Sequence, residues 1–344
     1  MDSQIKRLSQ KRRYQALVVG LSIALAGTAF LATGIGRYSM NPRDALRALA
    51  ETLTGSVPYD STMHDVLYIV RLPRIVAAIL VGSALSLSGA VYQGVFKNPL
   101  VSPDLLGVSS GACVGAAIAI LLGFSLVMIQ VSAFVMGMFA VICSVAITQA
   151  LRNESNMALV LAGIITGGFM SSILGVLKYI ADPETQLAEI VFWQMGSLVS
   201  VKRGQMVAVS PLLFVSGALL LALSWRINIL SFGEDEAKSL GMNVRLYRGI
   251  TIACASLLTA SAVSISGTIG WIGLVMPHLG RLLCGPDNTR LLPVTILLGG
   301  LFMLVVDTIS RAATSVEIPL SILTGLIGAP FYAWLLWRQR MGAL

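Results

Sequence analysis

The sequence predicts an all-α integral membrane protein of about ten transmembrane helices, and three observations predict it. Of the 344 residues, 56% are hydrophobic and only 12% are charged, which leaves too little polar surface to cover a soluble globule of that size. Uncharged runs of the length a helical crossing needs, about 20 residues, recur along the chain, whereas a barrel would show short alternating strands. The stretch RLPRIVAAILVGSALSLSGAVYQGVFKNPLVSPDLLGVSSG, residues 71–111, reads as a helix, an interruption at Asn-Pro and Ser-Pro-Asp, and a second helix. Lipid cannot satisfy the backbone groups that such an interruption frees. It must therefore be buried in protein or line a water-filled cavity, and it marks a pathway.

The first fifteen residues form a short tail with five basic side chains, which hold the N-terminus in the cytoplasm. The apolar run that follows, about 16 to 36, shows no small-x-small cleavage site and reads as a retained first crossing rather than a signal peptide. A short helix lying on the outer surface comes next. Asn41 caps it, Pro42 suits its first position, Ala45, Leu46, Leu49 and Leu53 give it an apolar stripe, and Gly55 ends it.

Crossing two runs inward from Arg74 to about Phe96. Crossing three runs outward from about Leu105 to Phe124, with Ser102, Pro103 and Asp104 at its start. Crossings four (about 125 to 150) and five (about 157 to 179) follow, the latter through GIITGGFMSSILG, a small-residue face suited to close packing. ADPETQLAEIVFWQMGSLVSVKRG is too polar to span and too apolar for a free linker, so it reads as an outer-surface helix dipping into the interface.

Crossing six (about 205 to 224) descends to Trp225 and Arg226, and the segment from Ser231 to Val244 is the longest polar stretch on the inner side. Crossings seven (Gly249 to Ser266), eight (through Pro277 to Cys284), nine (Leu291 to Asp307) and ten (Ile318 to Trp337) complete one transmembrane domain spanning 1–344. Ten crossings put both termini inside and leave most of the 24 Lys and Arg on the inner side, as the positive-inside rule requires. The formal charge of +8 therefore sets topology rather than binding nucleic acid. Ser86-Leu87-Ser88-Gly89 precedes Pro99 by the spacing with which Ser264-Ile265-Ser266-Gly267 precedes Pro277, in crossings of opposite direction. This reads as an inverted pair of broken helices.

The chemistry-bearing residues are sparse. No charged side chain falls in the middle of a proposed crossing. Asp307 lies near the outer end of crossing nine, with Arg311 one turn on as a local partner. Cys113, Cys143, Cys254 and Cys284 show no CxxC spacing and read as packing residues. His64 and His278 are too far apart for a ligand cluster, so no metal site and no catalytic constellation is expected. No phosphate-binding GxxxxGK[ST] loop is present, so an ATP-driven process would need another subunit. SFGEDEAKSLGMNV suits its attachment: Gly233 precedes three acids at a helix start, where the dipole favours them, and Gly241 ends the helix. Arg71 and Arg74 lie on the outer side against the charge trend, as interfacial anchors or, with Arg311, as a basic rim for an acidic partner.

The run RLPRIVAAILVGSALSLSGAVYQGVFKNPLVSPDLLGVSSGA, the loop GEDEAKSLGMNV, the segment GTIGWIGLVMPHLGRLL and the end SVEIPLSILTGLIGAPFYAWLL together resemble the FecCD-type permeases. These are membrane subunits of type II ABC importers for ferric siderophores, haem and cobalamin. The resemblance implies that family's permease fold in a bacterial inner membrane, and a second permease copy with the pathway along the dimer axis. It also implies two cytoplasmic ATPase subunits that hold ATP and Mg, and a periplasmic solute-binding protein docking outside. No cofactor is implied on this chain. Arg71, Arg74 and Arg311 match the arginines that receive glutamates of the binding protein. The segment 231–246 matches the cytoplasmic coupling loop, with Glu234, Asp235, Glu236, Ala237, Leu240 and Gly241 as the helix that seats in the ATPase.

Asn98 and Leu100, with Ser155 and Asn156, align with positions that narrow the inner end of the pathway, although Asn156 stands where a small hydroxyl residue is expected. What the resemblance implies is a transport subunit rather than an enzyme, carrying a ferric siderophore, with haem, cobalamin or an oxyanion such as molybdate as alternatives. A secondary carrier or channel working without an ATPase is the alternative of another class, and it would want a titratable residue at depth.

Overall fold

A computed structural model describes residues 2–36, 38, 41, 43–44, 47, 51, 60–152, 155–314 and 316–341; the described residues are helical, with no strand among them. The outer-surface helix expected at 41–55 depends on Pro42, Ala45, Leu46, Leu49, Leu53 and Gly55, which lie outside the described residues.

Helix α1 (Asp2–Gly34) runs along the edge of the bundle, packed mainly on a helix near the far end of the chain and more lightly on the central one. Helix α2 (Ser61–Phe96) is the centre: 36 residues long, with 78% of its apolar window buried. It begins well before Arg74. Asp60 caps it by accepting from the Met63 N–H at 3.1 Å, and a π turn over Val66–Arg71 lets the Leu72 N–H reach back to the Leu67 carbonyl. Pro73, which has no N–H to offer the preceding turn, is absorbed just after that widened turn instead of starting the helix.

After α2 the chain breaks at Lys97, whose φ of 52° is left-handed, and passes through a 3-10 turn (Pro103–Leu106) into α3 (Val108–Leu121). Helices α4 (Leu126–Ala150) and α5 (Asn156–Ile180) follow, then the short α6 (Gln186–Met195) where the interfacial helix is expected. Helix α7 (Arg203–Ala222) leads into α8 (Ser224–Phe232) and α9 (Glu234–Ser239). Helices α10 (Val244–Ser266), α11 (Ile272–Cys284), α12 (Asn288–Ala312) and α13 (Leu320–Met341) complete the bundle. Among the described residues seven helices are long and apolar enough to cross a membrane, and the shorter apolar α3, α11 and α13 occupy the remaining expected crossings.

Glycine lets α2 touch its neighbours backbone to backbone. A Cβ on Gly82 would sit 2.2 Å from the Gly299 carbonyl of α12, and one on Gly89 would sit 1.9 Å from the Gly273 carbonyl of α11. The serines between them bind outward: Ser86 Oγ donates to the Thr295 carbonyl at 2.8 Å, and Ser88 Oγ to the Ala255 carbonyl of α10 at 2.9 Å. This corrects the expected echo. Ser86 to Gly89 lie inside an unbroken helix, whereas Ser264 to Gly267 end α10 before a break leading into α11. Equal spacing in the sequence marks two different structures.

Candidate functional site

The candidate residues separate to opposite ends of the bundle. At the end where α2 finishes, Gly233 turns the chain between α8 and α9 with φ 152°, a conformation side chains rarely adopt. The space a Cβ would take there is filled by the Glu236 carboxylate and the Lys97 ammonium. Helix α9 then runs for six residues. Its first turn carries Glu234, Asp235 and Glu236, where the helix dipole favours acids. Ala237 is fully buried and anchors it, and Glu234 pairs with Arg248 of α10. The Met242 N–H returns to the Ala237 carbonyl at 3.0 Å around Gly241, whose φ is 73°, closing the helix as expected. Asp235, Glu236 and Leu240 are left exposed, an acidic surface with one large apolar side chain, Leu240 at 67% exposure.

The break after α2 lies against this helix. Lys97 Nζ donates to the Phe232 carbonyl at 2.9 Å, so one residue ties the end of α2 to the start of the acidic turn. Asn98 Oδ1 accepts from the Leu100 N–H at 2.9 Å, and the Leu100 side chain is exposed. Ser155 caps α5 by accepting from the Ala158 N–H at 3.2 Å, and Asn156 Nδ2 donates to the Val95 carbonyl of α2 at 3.0 Å. The structure thus joins Asn156 to the last turn of α2, just before Asn98. Asn156 Oδ1 is buried without a hydrogen-bond partner.

Three residues that the sequence reading passed over hold the break in place. Gln93 donates to the Val101 carbonyl at 3.3 Å and the Gly273 carbonyl at 3.2 Å, Arg281 donates to Gln93 Oε1, and the Tyr332 hydroxyl donates to the Pro99 carbonyl at 3.1 Å. Their partners lie up to 233 positions away, so no local pattern announces them.

At the other end, Arg71, Arg74 and Arg311 meet in one buried cluster, each 4–6% exposed. Arg74 forks between two carboxylates. Its Nε lies 2.9 and 3.1 Å from the Asp307 oxygens, and its terminal nitrogens each lie 2.8 Å from one Glu317 oxygen. Arg71 donates to the Thr33 and Tyr38 carbonyls, and Arg311 to the Ala32 carbonyl at 2.5 Å. Asp307, fully buried, was expected to pair with Arg311. That contact is 4.0 Å, and the close partner is Arg74, because α2 and α12 cross here and bring the guanidinium side-on to the carboxylate. Glu317, unassigned by the sequence reading, is the partly exposed member of the cluster.

A family model described as the FecCD transport family matches residues 23–338. The molybdate import system permease MolB of Haemophilus influenzae is 39% identical over 335 residues, covering 97% of this chain and 99% of that protein. A probable iron chelatin transport system permease of Helicobacter pylori is 41% identical over 285 residues, covering 81% and 85% respectively. Among solved structures, an inward-facing metal-chelate type ABC transporter aligns with a TM-score of 0.85 at 40% identity, over 94% of this chain and 99% of that one.

Proposed function

The chain belongs to the FecCD transport family and is a permease subunit of a type II ABC importer, and from that premise we propose that it admits a ferric siderophore across a bacterial inner membrane. The observation that carries the reading is the separation of the two candidate surfaces: an exposed acidic helix tied to a backbone break at one end, and a cluster of three arginines at the other. In this reading a second copy completes the pathway along the dimer axis. Two ATPase subunits seat against Asp235, Glu236 and Leu240, and a periplasmic binding protein engages the arginine end. ATP binding to those subunits shifts the population of inward- and outward-open states by its differential affinity for them, and Lys97 and Asn98 carry the shift into the break. The permease contributes no chemical step.

Crossings whose charged side chains lie towards their ends suit a bulky chelate selected by its binding protein. The long match to a molybdate permease favours an oxyanion as the second reading. Binding of ferric siderophore, haem, cobalamin and molybdate to the purified partner binding protein separates them: micromolar or tighter binding of the siderophore alone is expected, and selective molybdate binding replaces the proposed substrate. For docking, Arg71→Glu with Arg74→Glu should weaken capture of the loaded binding protein at least tenfold while the permease still inserts in the membrane. Unchanged capture returns both arginines to a purely structural role.

A further inference from the structure

We propose that Glu317 occupies, from within the chain, the position on Arg74 that an incoming partner carboxylate takes, so that docking is an exchange of one carboxylate for another. This rests on the docking reading above and adds to it the residue that must let go.

Both paired edges of Arg74 are taken, by four of its five N–H groups: Nε faces Asp307, one terminal nitrogen faces Glu317, and the other faces both acids at 2.8 Å. A carboxylate arriving from outside finds no free edge of that guanidinium. The two acids holding it are not alike. Asp307 is fully buried on α12, whereas the Glu317 side chain is 26% exposed on the segment joining α12 to α13. Exchange therefore takes place at Glu317, since expelling Asp307 would leave three arginines around an emptied buried position.

The cluster is also prepared for an additional anion. Three guanidinium groups meet two carboxylates, leaving one positive charge in excess, and the buried Nε of Arg311 has no hydrogen-bond partner. A displaced Glu317 has somewhere to go, because it already borders a cleft of about 360 Å³ whose lining includes Gln130, Ser197, Ser200 and Ser266, with one other carboxylate, Glu189, among it. A partner carboxylate on Arg74 restores the pairing of the guanidinium, while Glu317 turned into that cleft meets the serine hydroxyls and Gln130 on the wall shared with Glu189. The partner is the acidic side chain of the docking reading, and the burial of Arg74 adds that it must protrude far enough to reach a recessed guanidinium.

The test compares capture of the loaded binding protein by wild-type permease, Glu317→Gln and Glu317→Asp in detergent, with thermal unfolding and gel filtration as controls on folding. Removing the internal competitor should tighten capture about tenfold, equivalent to about 1.4 kcal/mol, in Glu317→Gln. Glu317→Asp, one methylene shorter and so held farther from the terminal nitrogens, should fall between the two. Capture that is unchanged or weaker in folded Glu317→Gln overturns the exchange. If Glu317→Gln does not fold, folded Glu317→Asp decides: capture no tighter than wild type overturns the proposal. Arg74→Glu is measured alongside, and if it too leaves capture unchanged, the docking assignment itself has failed, an outcome distinct from failure of the exchange alone.

Discussion

Asp307 shows how far a single side chain can be misread when only its own helix is considered. Arg311, four positions on, is the natural partner by spacing, yet Arg74 from α2 takes the carboxylate at 2.8 Å and leaves Arg311 at 4.0 Å. The arginines were legible as exceptional because they break the charge trend, but their partners were not, since Arg74 and Asp307 lie 233 positions apart. Removing one member of a buried charge group costs about 3–5 kcal/mol because the others stay uncompensated. Asp307→Ala should therefore lower the thermal midpoint in detergent steeply, while the exposed Asp235→Ala leaves stability within about 0.5 kcal/mol of wild type. A second carboxylate adds a pH dependence. Burial pushes the Asp287 carboxyl up, but hydrogen bonds from Asn228 and Thr289 outweigh this and hold it below the usual carboxylate range. A group depressed in the folded state stabilises above its unfolded value, about 3.9, and loses that contribution as pH falls. Acidification should thus narrow the stability difference between wild type and Asp287→Asn, as followed by thermal unfolding from pH 7 down to pH 3.

At the level of elements, apolar runs and loop punctuation located the helices well, because a membrane helix must satisfy its own backbone and needs a fixed length. The sequence places the start of crossing two too late, at Arg74: the π turn over Val66–Arg71 carries the helix through this point from Ser61, with Pro73 inside it. The paired Ser-x-Ser-Gly motifs misled likewise, because small residues in α2 serve close packing rather than interruption. That packing is testable at Gly89, where a Cβ would meet the Gly273 carbonyl at 1.9 Å with backbone on both sides. Gly89→Val should cost roughly 3 kcal/mol or more by overpacking, seen as loss of folded protein on extraction, whereas Gly175→Ala, with open space around it, should be silent. Just past the end of α9, Gly241 holds φ 73°, which proline's ring forbids. Gly241→Pro should reopen the end of the acidic helix and uncouple ATP hydrolysis from uptake, measured as ATP consumed per substrate imported in the reconstituted complex.

For the whole molecule, family and architecture were legible because the long motifs span nearly the entire chain and the composition admits one solvent only. The candidate residues at the two ends were nameable from the sequence, but the contacts that hold the break were not, since Gln93, Arg281 and Tyr332 act through partners far away in sequence. The chain alone in liposomes should show no uptake of ferric siderophore or molybdate with or without ATP, and uptake should appear only with the ATPase and binding protein present. Transport by the lone chain would remove it from the class of ATP-driven subunits. The two ends are also joined mechanically. Arg74 and Phe96 belong to one continuous helix, about 33 Å apart at 1.5 Å per residue, clasped midway by carbonyl contacts at Gly82 and Gly89. A rod gripped at its waist behaves as a seesaw: a tilt imposed where the arginines sit reappears with opposite sign beside Asn98, and the grip, not the length of the rod, sets how faithfully the motion is passed on.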